Sequence, residues 1–264
     1  MAEPVETPSP ARASSGQTVG TTPPGTTDER SAAQAVRQMF DEIAPRYDLL
    51  NHMLSLNVDR LWWRRTARTF AHILSRDDAR VLDLCAGTGD MSVALQAVAT
   101  KKGSRAAMMA LDFSRPMLQH GLAKYRAKKI QPLEADALQL PLAAGSVDLV
   151  VSAFGFRNLA NYDAGLREIF RVLKPGGEAG ILDFSEPSGL TGKLYRFYFR
   201  RVLPRIGALI SGVRSAYEYL PASVEKFPAP QEMLNRMEAA GFKDASWTPY
   251  TFGIAGLYRA KKPG

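Results

Sequence analysis

The chain has 264 residues, 45% of them hydrophobic, with 34 Lys and Arg against 26 Asp and Glu for a formal charge of +8 and a pI near 9.6. That length fits one sizeable α/β core and is short for two full domains, and Cys85, the only cysteine, excludes an intrachain disulfide or a Cys-rich metal site and agrees with a reducing cytoplasm. No run of about 18 uninterrupted apolar residues occurs, which excludes a spanning helix, and the basic charge suggests an anionic partner without choosing between nucleic acid and a membrane face.

Residues 1–30 are rich in Pro, Thr, Ser and Gly and have hardly a large apolar side chain, so they are expected to form a disordered tail. They lack the apolar stretch of a secretory signal. Glu3 and Glu6, with Arg12 as the only basic residue before Arg30, argue against a transit peptide. Residues 31–264 are expected to form a single domain that opens with a helical cap over residues 31–76. Val36, Met39, Phe40 and Ile43 follow helical spacing, and Pro45 ends or kinks that helix. A second helix is expected over residues 59–74, with Leu61, Trp62 and Phe70 on an apolar side and Arg60, Arg64, Arg65 and Arg68 elsewhere.

From Arg80 short apolar strands alternate with amphipathic helices, the pattern of a parallel α/β sheet. Strands are expected at 80–84, 106–111, 131–135, 147–152 and 179–184. The clearest helix spans 163–173, where Leu166, Ile169, Phe170 and Leu173 share a face and Lys174-Pro175-Gly176-Gly177 supplies the stop. Alternation lapses over residues 187–230, which look like a helical insertion. A helix at 231–240, ended by Gly241, and strands at 245–248 and 253–259 complete seven strands, and no internal repeat is visible.

Val81-Leu82-Asp83-Leu84 runs into Cys85-Ala86-Gly87-Thr88-Gly89-Asp90, followed by a helix: strand, glycine turn, helix. Such a turn lets a nucleotide-like ligand approach the backbone. Gly87 and Gly89 remove Cβ atoms that would collide with it, and the Thr88 amide and hydroxyl can donate to an amino-acid carboxylate. Asp83, on the strand that feeds the turn, belongs to the same set. The dinucleotide fingerprint wants a further glycine where Ser92 stands, which counts against NAD. Asp112 ends the second strand, where a carboxylate can accept both ribose hydroxyls, as it can in NAD enzymes too. Asp136 ends the third, placed for an adenine amino group, with the Ala137 amide for a ring nitrogen. Each acid alone could be a helix cap or a turn former. Together, at successive strand ends on the carboxyl edge of the sheet, they match S-adenosylmethionine. The expected fold is therefore α/β, a Rossmann-like, mostly parallel seven-stranded class I S-adenosylmethionine-dependent methyltransferase, with no metal.

Tyr47-Asp48-Leu49-Leu50-Asn51 with Ser55 and Trp62, and Arg171-Val172-Leu173-Lys174-Pro175-Gly176-Gly177 with Phe184-Ser185, resemble the ubiquinone/menaquinone biosynthesis C-methyltransferase family. The likeness continues through the turn at residues 82–90, Phe154-Gly155-Phe156-Arg157-Asn158 and Leu203-Pro204-Arg205-Ile206-Gly207, covering about residues 33–260. Departures are Leu50 for the usual Met, Asp59 where many members have His, and Asp183 for Glu. A serine often found before the Phe-Gly pair is Ala153 here, with Ser152 one position off. The resemblance implies that Thr88, Asp112, Asp136 and Ala137 contact the cofactor. It also implies C-methylation of a prenylated quinol: demethylmenaquinol to menaquinol, or a polyprenyl methoxy-benzoquinol of ubiquinone biosynthesis, or both. A non-catalytic S-adenosylmethionine-binding module is the rival from another class.

Methylating a ring carbon needs an electron-rich ring, so the substrate is expected to be the quinol, deprotonated and held near contact with the methyl group. Arg157 and Asn158, after the fourth strand, are candidates for stabilising the phenolate, although Arg157 could also be a surface ion pair. Tyr47 and Asp48, after the break at Pro45, could form a lid, with Asp48 or a bound water as base. Tyr47 could equally be packing. His52 competes as base, yet a lone His among Leu49, Leu50, Met53 and Leu54 is more often structural.

Between Glu186 and Glu218 there is no acid, while Lys193, Arg196, Arg200, Arg201, Arg205 and Arg214 interleave with Tyr195, Phe197, Tyr198 and Phe199. That suits peripheral contact with an anionic membrane at the inner face of the cytoplasmic membrane, the insertion walling a channel for the prenyl tail. Single-stranded nucleic acid would suit the same composition, as would a merely solvated face. The Asn/Asp-Pro-Pro-aromatic motif of nucleic-acid amino methylators is absent from Ser152-Ala153-Phe154-Gly155, so no nucleic-acid partner is expected. A homodimer is plausible.

Overall fold

A computed structural model of the chain describes residues 19–47, 58–185, 187, 219 and 222–264. Helix α1 (Glu29–Ile43) starts at Asp28, whose carboxylate accepts from the Ser31 amide at 2.8 Å while the Ser31 hydroxyl accepts from the Asp28 amide at 3.2 Å. This reciprocal cap satisfies donors that a helix start leaves open. A 3-10 turn, Ala44–Arg46, follows at Pro45.

Residues 19–28, expected within the tail, are packed onto the domain instead. The Thr21 amide donates to Leu159 O at 2.9 Å, its hydroxyl lies 2.8 Å from the Tyr219 hydroxyl, and its side chain is buried. Specific hydrogen bonds, not apolar mass, hold this segment, so hydrophobicity could not reveal it. Residues 1–18 and most of 187–230 lie outside the described residues.

Helix α2 (Val58–Thr69) and the short α3 (Ala71–Leu74) replace the single helix expected. Trp62, Trp63, Thr66, Ala67 and Phe70 are buried. Leu61, expected beside Trp62, is 60% exposed. Its neighbour Trp63 is buried instead, because the buried stripe runs 59, 62, 63, 66, 67 and leaves position 61 outside it.

Strands β1 (Arg80–Leu84), β2 (Ala107–Asp112), β3 (Gln131–Glu134), β4 (Val147–Ala153), β5 (Leu173–Phe184), β6 (Lys243–Tyr250) and β7 (Ala255–Lys261) form one sheet in the order β3-β2-β1-β4-β5-β7-β6. The first five run parallel, and β7 is antiparallel to both β5 and β6. Helices α4 (Asp90–Lys101), α5 (Arg115–Lys128) and α6 (Tyr162–Val172) connect the parallel strands, and α7 (Pro230–Ala239) precedes β6.

Burial on both faces explains why β1 and β4 are almost continuously apolar. Consecutive residues alternate sides. Val81 packs with Trp63, Phe70 and Leu95 on one face, while Leu82 packs with Leu111, Leu166 and Ile169 on the other.

The segment expected to stop α6 opens β5 instead. Val147 pairs with Leu173 and Leu149 with Glu178, so residues 174–177 bulge out of the ladder, with Gly176 at φ +75°.

Candidate active site

Parallel order places the carboxyl ends of β1, β2, β3 and β4 along one edge. There Ala86 N donates to Leu111 O at 2.9 Å and Ala135 N to Asp112 O at 3.0 Å. The loops beyond these ends line a cleft. Gly87, Asp112, Asp136 and Ala137 line one part, and Phe154, Gly155, Asn158 and Leu159 another. Ala33, Phe40 and Tyr47 close it from the α1 side. Helix α1 is tied there: Arg37 reaches Glu134 at 2.8 Å, Asn161 donates to Glu29 at 2.7 Å, and the Ser114 hydroxyl donates to Asp41.

Asp112 ends β2 and is 5% exposed. Its Oδ2 accepts from Gly87 N at 2.8 Å and its Oδ1 from Ser114 N at 2.9 Å. Burial raises its pKa to about 6, against the lowering pull of the Ser114, Gly87 and Phe113 amides. Asp136 is exposed, its Oδ1 accepting from Leu138 N at 2.8 Å.

Three residues of the expected cofactor set stand behind the wall, not on it. Asp83 is buried within β1, accepts from the Ser92 hydroxyl, and is pushed by burial to a pKa of about 7. Its Oδ1 has no hydrogen-bond partner. Thr88 is likewise buried. At Gly89, φ is +90° and an added Cβ would stand 2.4 Å from the Tyr125 ring, so this glycine makes room for Tyr125. Tyr125 in turn donates to Gly87 O at 2.8 Å and so buttresses the turn from behind. Of the two turn glycines, Gly87, at φ +57°, lines the cleft.

Arg157 and Asn158 sit in a 3-10 turn (Phe156–Asn158) after β4. They are adjacent in sequence but face different ways. Asn158 lines the cleft, accepts from the Tyr219 hydroxyl at 3.1 Å and donates to Phe154 O at 3.4 Å. Arg157 is buried, not a surface ion pair. Its Nη1 donates to Asp183 Oδ1 at 2.9 Å and to Phe154 O, its amide donates to Asp183 Oδ2 at 3.0 Å, and the guanidinium lies over the Phe184 ring. Burial opposes its charge, but the Asp183 carboxylate more than offsets that and raises its pKa. Tyr47 meets Phe40 edge-on at 6.1 Å. Asp48 and His52 lie outside the described residues, and Ser152 is fully buried with its hydroxyl unbonded.

Sequence reasoning missed Phe40, Cys85, Phe113 and Met117 on the wall, and Tyr219 behind it. Phe113 and Met117 had a usable signal, since Phe113 follows Asp112 directly and Met117 lies in the first turn of α5. Tyr219 had none, because its partner Asn158 is distant in sequence.

Solved structures supply the class. A S-adenosylmethionine-dependent methyltransferase from Thermotoga maritima matches with a TM-score of 0.60 over 86% of this chain and 99% of that one, at 16% identity. At that identity the likeness carries the fold alone, and the fold is that of the class I methyltransferases. Sequence carries the assignment further. Residues 27–262 match the ubiE/COQ5 methyltransferase family, and the chain belongs to it. A demethylmenaquinone methyltransferase of Deinococcus radiodurans is 46% identical over 238 residues, covering 89% of this chain and 95% of that protein. A ubiquinone/menaquinone biosynthesis C-methyltransferase UbiE of Syntrophotalea carbinolica is 43% identical over 228 residues, covering 85% and 93%.

The cleft fits the methyl donor of this family. Gly87 keeps the turn free of a side chain, the Asp112 carboxylate stands beside it at the end of β2, and Asp136 with Ala137 follows one strand further along.

Proposed function

We propose that the protein transfers a methyl group from S-adenosylmethionine to a ring carbon of a prenylated quinol, demethylmenaquinol becoming menaquinol. The observation that carries this reading is the division of the cleft. One part has the acids Asp112 and Asp136, the other the apolar Phe154 and Leu159 with a single fixed amide at Asn158. The donor supplies an electrophilic methyl group. The residues of this chain bind it through Asp112, Asp136 and Ala137, hold the ring against Phe154 and Leu159, and keep water out beneath α1 and Tyr47.

Asn158 presents its Nδ2 to the phenolate oxygen, because the Tyr219 hydroxyl occupies its Oδ1. Arg157 acts one layer deeper, its charge strengthening the field at that oxygen while Asp183 holds the turn in place. Asp48 or a water completes the proton path. The relative from Deinococcus radiodurans, the more similar of the two, supports the naphthoquinol. The name of the Syntrophotalea carbinolica relative keeps a methoxy-benzoquinol as the second reading. Peripheral contact with an anionic membrane, at the inner face of the cytoplasmic membrane, suits a substrate with a prenyl tail. Among the described residues no helix is long and apolar enough to cross a membrane.

The test is incubation of pure protein with labelled S-adenosylmethionine and either reduced demethylmenaquinone or the reduced benzoquinone analogue, followed by identification of the product. Methylated naphthoquinol is expected. No transfer to either quinol overturns the reading.

A further inference from the structure

Among the described residues three large hydrophobic side chains are exposed, and two of them, Leu61 at 60% and Phe252 at 83%, belong to segments that pack against each other. The adjoining residues are tied together: Trp62 Nε1 donates to Thr251 Oγ1 at 2.8 Å, and the Arg65 guanidinium lies 4.2 Å from the centre of the Tyr250 ring. The turn that carries Phe252 (Thr251–Gly253) is pinned, with Gly253 O accepting from the Ser185 hydroxyl at 2.7 Å. Phe252 nevertheless has φ +58°, a left-handed conformation that a bulky aromatic rarely takes. A fixed, strained turn that holds an aromatic ring in water calls for a partner.

The charges beside these tips say which. Arg60, Arg64 and Arg68 recur every fourth residue along α2, and with Lys101 and Lys102 at the end of α4 they rim a groove floored by Trp63 and Val98. Among the described residues no carboxylate pairs with any of these five cations. Asp90, the one acid in that groove, is held by Lys124 at 2.8 Å.

We propose that the α2 face, with Leu61 and Phe252 as wedges and Arg60, Arg64 and Arg68 as headgroup contacts, docks on an anionic lipid surface. Apolar tips ringed by unpaired arginines match the layered chemistry of that surface, acyl chains beneath phosphates. Docking here also serves the cleft. Trp62, next to Leu61 in α2 but buried, packs 5.8 Å from the Phe154 ring, which lines the cleft, so the docking helix itself packs on the wall of the site where a prenylated quinol would arrive. The proposal rests on the quinol reading only for that purpose. It assigns the membrane contact to α2 and not to the basic stretch at residues 193–214.

The test is co-sedimentation of the full chain with phosphatidylcholine vesicles, with and without phosphatidylglycerol. Binding to the anionic vesicles that weakens with salt is expected. Arg60→Ala/Arg64→Ala/Arg68→Ala should lower the partition coefficient about a hundredfold, at about fivefold for each basic residue near an anionic surface. Leu61→Ser/Phe252→Ser should lower it about tenfold or more. Both variants should methylate a short-chain soluble quinol as the parent does, which separates failure of docking from failure of the proposed reaction. Parent-like partitioning of both variants overturns the proposal, as does equal binding to neutral vesicles. Loss of binding on neutralising Lys193, Arg196, Arg200 and Arg201 alone, or preference for RNA over vesicles in competition, overturns it as well.

Discussion

Arg157 Nη1 lies 2.9 Å from Asp183 Oδ1, and the two side chains are 6% and 0% exposed. The pair joins the turn after β4 to the end of β5, so the residue next to it, Asn158, is held by a bond that never touches the cleft. Breaking a buried pair from one side leaves an uncompensated charge, at a cost of about 3 to 5 kcal/mol. Asp183→Asn is therefore expected to lower the thermal midpoint by about 6 to 20 °C, at about 2 to 4 °C per kcal/mol for a domain of this size. A calorimetric scan checks it, and an unchanged midpoint would show that the pair does not hold the turn. Arg157→Ala should destabilise in the same way, which makes its lost turnover ambiguous. Asn158→Ala is the cleaner probe of the oxyanion role, with about a hundredfold loss in kcat and little change in cofactor affinity.

Cofactor affinity should depend on pH through Asp112. Its folded pKa is about 6, and in the proposed role of accepting from two ribose hydroxyls it must be ionised. Below pH about 6 binding must first expel a proton, so affinity should fall toward tenfold per pH unit, and above that pH it should be flat. Titration calorimetry in buffers of different ionisation enthalpy reads the released proton directly. Asp112→Asn should bind more weakly and lose the pH dependence; an unchanged profile in that variant would assign the proton elsewhere.

The ligand-free protein should show the opposite trend in stability. Asp112 at about 6 and Asp83 at about 7 hold their protons more tightly folded than unfolded, where Asp titrates near 3.9. Their contribution is whole below pH about 4 and is lost as pH rises through 6 and 7. Glu168, held below its ordinary range by the Arg171 hydrogen bonds, loses its contribution only as the pH falls toward that lower range. Urea midpoints measured from pH 5 to pH 8 should therefore decline. Asp83→Asn should flatten the curve, and a curve as steep as the parent's would mean that Asp83 does not titrate there.

Tyr219 joins Thr21 to Asn158 by hydrogen bonds of 2.8 and 3.1 Å. Tyr219→Phe leaves the ring packing intact but frees the Asn158 amide to turn. The expected result is a fall in kcat of about five- to tenfold, matching the loss of one ordinary hydrogen bond, with cofactor affinity unchanged. Thr21→Val should produce a weaker version of the same split. Equal loss in kcat and in cofactor affinity would instead indicate a general loosening.

Much of the fold was legible because strands buried on both faces carry unbroken apolar runs, as in Leu149 to Val151, and because acids at strand ends interrupt that pattern. Asp112 and Asp136 stand where such interruptions pointed. Directions of side chains were less legible. Arg157 and Asn158 look equivalent in sequence, but a 3-10 turn sends one to Asp183 and the other to the cleft, and the choice depends on a carboxylate 26 residues away. Gly89 answers to Tyr125, 36 positions on, for the same reason. Leu61 misled because helical spacing allows two adjacent stripes, and which one is buried depends on what lies beneath.

Strand β7 pairs with β5 on one side and β6 on the other, although β6 comes before it in the chain. A ribosome therefore releases β5 and β6 before the strand that must separate them. Until residues 255–261 emerge, β5 carries an open row of backbone donors and acceptors, and β6 is a ready but wrong neighbour for it. Stalled or prematurely terminated products that stop between residues 184 and 255 thus carry a sticky sheet edge. For such products, protection by chaperones during translation matters more than the stability of the finished enzyme.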